Sequence, residues 1–239
     1  METGNPVFGF LDKAQSVSRS ESMTVNGALL KTMFLLMLLI VAMAWVWPQH
    51  LTGVPLTIFC IGGLVAALVT SFVPGIAWIT APVYALLEGA ALGVISWMIE
   101  SSYPGIATQA VGLTLAVLFA MAGLYLTKII VVTDRLRSCI VAATGGIFLF
   151  YMVTMVLGFF GVHVPGMGLN GGRVGICISL VVVGVAAFNL LLDFDAIERG
   201  ARDSAPRSYE WVCAFGLLVT LVWLYIEILR LLSRFRQSR

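Results

Sequence analysis

The sequence predicts an all-α integral membrane protein, a bundle of seven transmembrane helices, and three observations carry that prediction. Of the 239 residues 60% are hydrophobic and only 11% charged. The mean hydropathy is +1.01, whereas in soluble domains apolar residues make up only about 45–50%. The apolar residues also gather into runs of roughly 18–25, enough to cross about 30 Å of hydrocarbon at 1.5 Å per helical residue. The connectors are short, so little chain remains for a separate aqueous domain.

In chain order the expected spans are 29–47, 55–73, 81–98, 107–130, 139–160, 174–193 and 211–232. They form one membrane domain over 29–232, with a polar N-terminal tail over 1–28 and a basic C-terminal tail over 233–239. In the first span Ala42-Met43-Ala44 is similar to a cleavage site, but the oily run continues through Trp45-Val46-Trp47, so an uncleaved helix is expected. In the third span Pro82 falls near the start, where a missing N–H does no harm.

The chain holds 24 glycines. Each would cost about 1 kcal/mol against alanine inside a soluble helix. In lipid, small residues let helix backbones approach, because no water-driven force pulls the helices together. Gly62-Gly63, the Gly89 and Gly93 pair, Gly145-Gly146, Gly175 and Gly184 are expected to serve such contacts. Gly145-Gly146, following Thr144, could instead loosen the fifth helix and free a carbonyl for an ion. Cys60, Cys139, Cys177 and Cys213 stand alone in different spans, without the spacing of a zinc site or a disulfide framework, and read as small hydrophobic filler.

Orientation follows from the basic residues. With the N-terminus on the cytoplasmic side, nine of the 14 Lys and Arg residues fall inside, Lys13 to Arg207 without Arg173. That bias favours a cytoplasmic N-terminus. Arg230, Arg234, Arg236 and Arg239 argue the other way, since seven spans leave them outside.

Three carboxylates lie within the oily runs: Glu88, Asp193 and Glu227. An acid at the centre of a spanning helix costs about 2.5–3.5 kcal/mol on insertion scales, and such residues mark ion or proton paths. Glu88 has no basic residue on the neighbouring turns of its own helix, so it must be protonated, bonded to another helix or open to water. Asp193 shares a face with Asn189, four residues earlier, giving a polar stripe directed into the bundle. Asp195 points about 200° away from Asp193 and belongs with Glu198, Arg199 and Arg202 at a solvated helix end. Glu227, deep in the last span, has Arg230 three residues on, close enough for an ion pair that could be purely structural.

The segments around these residues resemble the transmembrane Bax inhibitor motif family, in its bacterial YccA-like branch. Asp193-Phe194-Asp195-Ala196-Ile197 is similar to that family's Asp-x-x-x-Ile ending of helix six, and Leu224-Tyr225-Ile226-Glu227 to its Leu-Tyr-Leu-Asp signature. Pro82-Val83-Tyr84-Ala85-Leu86-Leu87-Glu88-Gly89 and Ala143-Thr144-Gly145-Gly146 resemble further segments of the same branch. The resemblance implies a multi-pass bacterial inner-membrane protein associated with pH-sensitive calcium leak, and it places the family's paired aspartates on Asp193 and Glu227. Two departures stand out. Glutamate replaces the second aspartate, and Arg230 stands where asparagine is usual.

Two carboxyls sharing a site titrate as a unit. Protonated, they could bridge two helices; ionised, they would repel and attract a cation. A hairpin centred near Ala205 leaves them about 15 Å apart in depth, which tilt or a shifted seventh helix would have to close. The expected function is thus a cation leak gated by Asp193 and Glu227 with Glu88 on the path. The alternative is a non-transporting regulator that binds other membrane proteins. The expected partners are the bilayer, calcium or other cations and possible membrane proteins, with no nucleic acid. No cofactor is expected beyond transient Ca2+, because tight calcium sites need about six to eight oxygens. No enzymatic activity is expected: His50 and His163 lie in connectors, and the lysines, Lys13, Lys31 and Lys128, are absent from the last helix.

Overall fold

The computed structural model describes residues 22–51, 53–160 and 172–238; residues 1–21 of the expected polar tail, and His163, lie outside them. Seven helices are long and apolar enough to cross a membrane. They are α1 (Val25–Val46), α2 (Val54–Phe72), α3 (Ala77–Ser102), α4 (Ile106–Leu126), α5 (Asp134–Phe159), α6 (Gly172–Arg202) and α7 (Tyr209–Gln237), with one-turn 3-10 helices at Trp47–Gln49 and Pro74–Ile76.

Caps fix two of the starts. Thr24 Oγ1 accepts from Gly27 N at 3.0 Å before α1, and Thr133 Oγ1 accepts from Leu136 N at 3.3 Å before α5. Each satisfies one backbone donor that the first helical turn leaves open.

Five helices extend past their expected bounds, α1 beginning at Val25, within the expected tail, and α5 at Asp134. The sixth does not stop at Asp193 but runs on to Arg202. Phe194 and Ile197 continue the apolar spacing of Leu190, and the charges pair one turn apart, Arg199 to Asp195 and Arg202 to Glu198, each at 2.9 Å. The charge-rich stretch that reads as a loop is therefore largely helix, and the α6–α7 connection shrinks to residues 203–208. The third helix begins at Ala77, which puts Pro82 inside it. The seventh continues through the expected tail to Gln237. There Arg234 is buried, donating to Gly175 O and, at 2.6 Å, to Ser179 Oγ of α6.

Helix α7 is the axis of the bundle. In its most apolar window 67% of residues are buried, against 6% for α5. It packs on α1, α3, α4 and α6. Tyr84 of α3 meets Phe215 edge-on at 5.1 Å, and the hydroxyls of Ser96 and Tyr225 lie 2.8 Å apart. These two contacts show α3 and α7 running parallel, as odd-numbered spans must. Leu30, Met33, Met37, Phe72, Phe119 and Leu126 point outward, as lipid-facing residues do.

The α1–α3 seam is the tightest. A Cβ added to Gly89 would sit 2.3 Å from Leu39 O, and one on Gly93 2.8 Å from Met43 O. Only glycine allows that approach. Gly62 and Gly63 likewise face Leu87 and Glu88 across the α2–α3 seam. Gly145, Gly146 and Gly184 differ from expectation, because nothing lies within 4 Å of where their side chains would be. The cysteine reading also changes: Cys213 alone is core filler, while Cys60, Cys139 and Cys177 are on the outside.

At the end holding the α1 N-terminus, Met23 N donates to Ala205 O at 2.7 Å. Beside it Glu210, only 3% exposed, accepts from Thr24 N at 2.9 Å and pairs with Lys31. Gly27 leaves the space that the Glu210 carboxylate occupies.

Candidate functional site

Asp193 of α6 and Glu227 of α7 face the seams between α5, α6 and α7. Asp193 is directed at α7, where a Cβ on Gly216 would meet its Oδ1 at 3.7 Å. The Thr220 side chain lies beside the Asp193 carboxyl, its hydroxyl donating to Gly216 O at 3.2 Å. Asp193 Oδ2 is buried and has no hydrogen-bond partner.

Asn189, one turn earlier, diverges from it. Its amide donates to Thr144 Oγ1 of α5 at 2.8 Å and to Val185 O at 2.9 Å. The stripe predicted on α6 therefore splits, Asp193 turning to α7 and Asn189 to α5.

Glu227 is 1% exposed. Its Oε1 accepts from Tyr151 Oη and from Arg230 Nη1, both at 2.9 Å. Arg230 Nη1 also donates to Tyr151 Oη at 2.9 Å and stacks over that ring, 5.4 Å from its centre. The ion pair expected within α7 thus exists, and a tyrosine from α5 closes it into a triangle. Glu227 Oε2 remains buried without a partner. A cleft of about 410 Å3 between α5 and α7 opens onto this group, lined among others by Thr144, Tyr151, Trp223, Glu227 and Arg230.

Asp193 and Glu227 do not meet. Asp193 lies level with Gly216 and Thr220, which places Glu227 about 14 Å further along α7 at the helical rise. The Ser96–Tyr225 contact sets Glu227 level with the last turns of α3. It is buried by protein, about 15 Å before the C-terminal end of α7.

Glu88 stands apart from both. Its carboxylate overlies Gly63 of α2, where an added Cβ would be 2.8 Å from Oε2, while Tyr84, one turn earlier on the same side of α3, meets Phe215 of α7. The expectation that Asp195 sits at a solvated helix end is corrected as well. It is 9% exposed and joins Arg137 of α5 to Arg199 of its own helix.

Three participants were not singled out from the sequence: Tyr151, Thr220 and Arg137. Tyr151 follows Phe148-Leu149-Phe150 and looks like one more lipid-facing aromatic. Its partners lie 76 and 79 positions away, so local spacing carries no trace of them.

These features define a multi-pass helical membrane protein with a buried carboxylate on its central helix and another facing that helix. The chain belongs to the Bax inhibitor 1 like family, whose family model matches residues 5–237. The resemblance in the short motifs therefore extends over nearly the whole sequence. Among curated proteins no match was found.

Proposed function

We propose that the protein is a pH-sensitive cation leak, calcium being the ion suggested by the family resemblance, in a bacterial inner membrane with the N-terminus cytoplasmic. The observation that carries this reading is the pair of buried, unpartnered carboxylate oxygens, Asp193 Oδ2 and Glu227 Oε2. An acceptor left open inside a spanning bundle is unfavourable unless a proton or cation visits it. Asp193 and Glu227 would act as successive stations about 14 Å apart rather than as a single chelate. Weak coordination at each station suits passage, since an ion must leave as readily as it arrives.

Arg230 shapes the second station. It pairs with Glu227 through one oxygen, so a visiting cation competes with it there and has only Oε2 free. Glu88 faces another seam and joins this route only if α3 rotates. Purified protein in liposomes should take up calcium faster in alkaline than in acidic buffer, as ionised carboxylates attract the ion. Asp193→Asn combined with Glu227→Gln should reduce that uptake at least tenfold. Undiminished uptake in the double variant would remove the proposal.

A second reading, a regulator that binds other membrane proteins without transport and without catalysis, draws on one observation. Gly145 and Gly146 on α5 and Gly184 on α6 have open space beside them, and small residues of that kind accept a neighbouring helix closely. A stoichiometric crosslinked partner together with no ion flux would favour it.

A further inference from the structure

At the end of the bundle that holds the α1 N-terminus, two cavities adjoin. One, of about 410 Å3, is an apolar slot between α1, α4 and α6 whose walls include Leu29, Ala122, Leu126 and Phe194. The other, of about 470 Å3, is a charged cup formed by the α4–α5 connection and the end of α6. Tyr125, Lys128 and Glu198 line both. Both volumes fall in the range of ligand sites, about 300–1,000 Å3.

The order of polarity is that of a lipid. The slot lies beside the first turn of α1 and the last turn of α4, where acyl chains begin, and the cup lies beyond the helix end, where headgroups sit. The local charge selects among lipids. Asp195 is already matched by two cations, Arg137 and Arg199, and Glu198 by Arg202. Lys128 and Asp203 complete the cup, and among the described residues neither is in an ion pair, so Lys128 is the cation of the cup left open to an incoming anion. Lys128 is exposed and held by a left-handed turn, φ 55°, in which its N–H donates to Tyr125 O at 3.0 Å. That turn fixes it at the rim shared by slot and cup.

We infer that this paired slot and cup bind one glycerophospholipid of single negative charge, with an acyl chain along Leu29 and Ala122 and its phosphodiester at Lys128. Glu198 and Asp203 are acceptors for headgroup hydroxyls, as a glycerol headgroup supplies. The assignment is independent of cation leak.

Native mass spectrometry of the full-length protein in detergent, titrated with phosphatidylglycerol, phosphatidylethanolamine or phosphatidylcholine, tests it. Phosphatidylglycerol should half-saturate the protein at a concentration about fivefold lower than the two zwitterionic lipids, the value of one lysine near an anionic headgroup. Lys128→Glu should erase the preference and Lys128→Arg retain it. Ala122→Phe, which fills the slot, should weaken all three lipids alike. Equal binding of the three lipids by the wild-type protein would overturn the inference, as would a preference that survives both Lys128→Glu and Ala122→Phe. Displacement of phosphatidylglycerol by inorganic phosphate alone would also overturn it, by showing an anion site without a lipid.

Discussion

The α1–α3 seam and the α5 side of the bundle hold helices together in opposite ways. Between α1 and α3, Gly89 and Gly93 bring two backbones into direct contact, and the attraction is dispersion over a close-fitting surface. Between α5 and its neighbours the side chains are spaced, a cleft of about 410 Å3 remains, and the links are polar. Arg137 meets Asp195, Thr144 meets Asn189, and Tyr151 meets Glu227 and Arg230. A dry, shape-matched seam has one good arrangement, because separation loses every contact at once. Polar links across a cleft can be made and broken singly. The first seam suits a scaffold and the second a part that moves, and Glu227 lies with the second.

The largest effect should follow from breaking the close seam. Gly89→Leu forces α1 from α3 and should destabilise the protein by about 3 kcal/mol or more, seen as loss of a monodisperse, cooperatively melting species in detergent. Retention of wild-type stability would show that the two backbones are not in contact.

On the polar side, Arg230→Asn restores the residue usual in the resembled family and leaves Glu227 with Tyr151 alone. Calcium uptake at a fixed pH should rise several-fold above that of the wild type, because the cation that competes for Glu227 Oε1 is gone. An unchanged rate would mean that Arg230 does not compete with the ion.

Smaller effects should mark the individual links. Asn189→Leu removes the bond to Thr144 and should cost about 0.6 kcal/mol, the average for interhelical hydrogen bonds in lipid. A double-mutant cycle with Thr144→Val measures it, and a coupling near zero would remove this link from the comparison. The smallest change is expected from Gly145→Leu, which has no neighbour within 4 Å and should alter stability by less than about 0.5 kcal/mol. If that variant loses a crosslinked partner while melting normally, the regulator reading gains and α5 is a docking face.

Much of the architecture was legible in the sequence, and the misses share a cause. Hydropathy locates every span, yet it ends the sixth helix at Asp193, where the run of charged residues begins. The chain continues as helix since Asp195 and Glu198 find arginines one turn on and Ile197 keeps its place in the core. Glycine spacing found the Gly89 and Gly93 contact but could not separate it from Gly145-Gly146, because a glycine toward lipid and a glycine toward a helix look alike in one dimension. For the site, the pairing of Glu227 with Arg230 was readable, both residues being on one helix. Tyr151 and Thr220 were not, because they arrive from other helices.

By itself, the sequence determined how many times the chain crosses the bilayer and that acids travel with it, since transfer into lipid is a sum over local residues in a nearly uniform solvent. Tertiary structure alone decided which way each acid faces: Glu88 to α2, Asp193 to Thr220, Glu227 to Tyr151. Those directions depend on the rotation and register of packed helices, and a difference of one residue turns a side chain by about 100°.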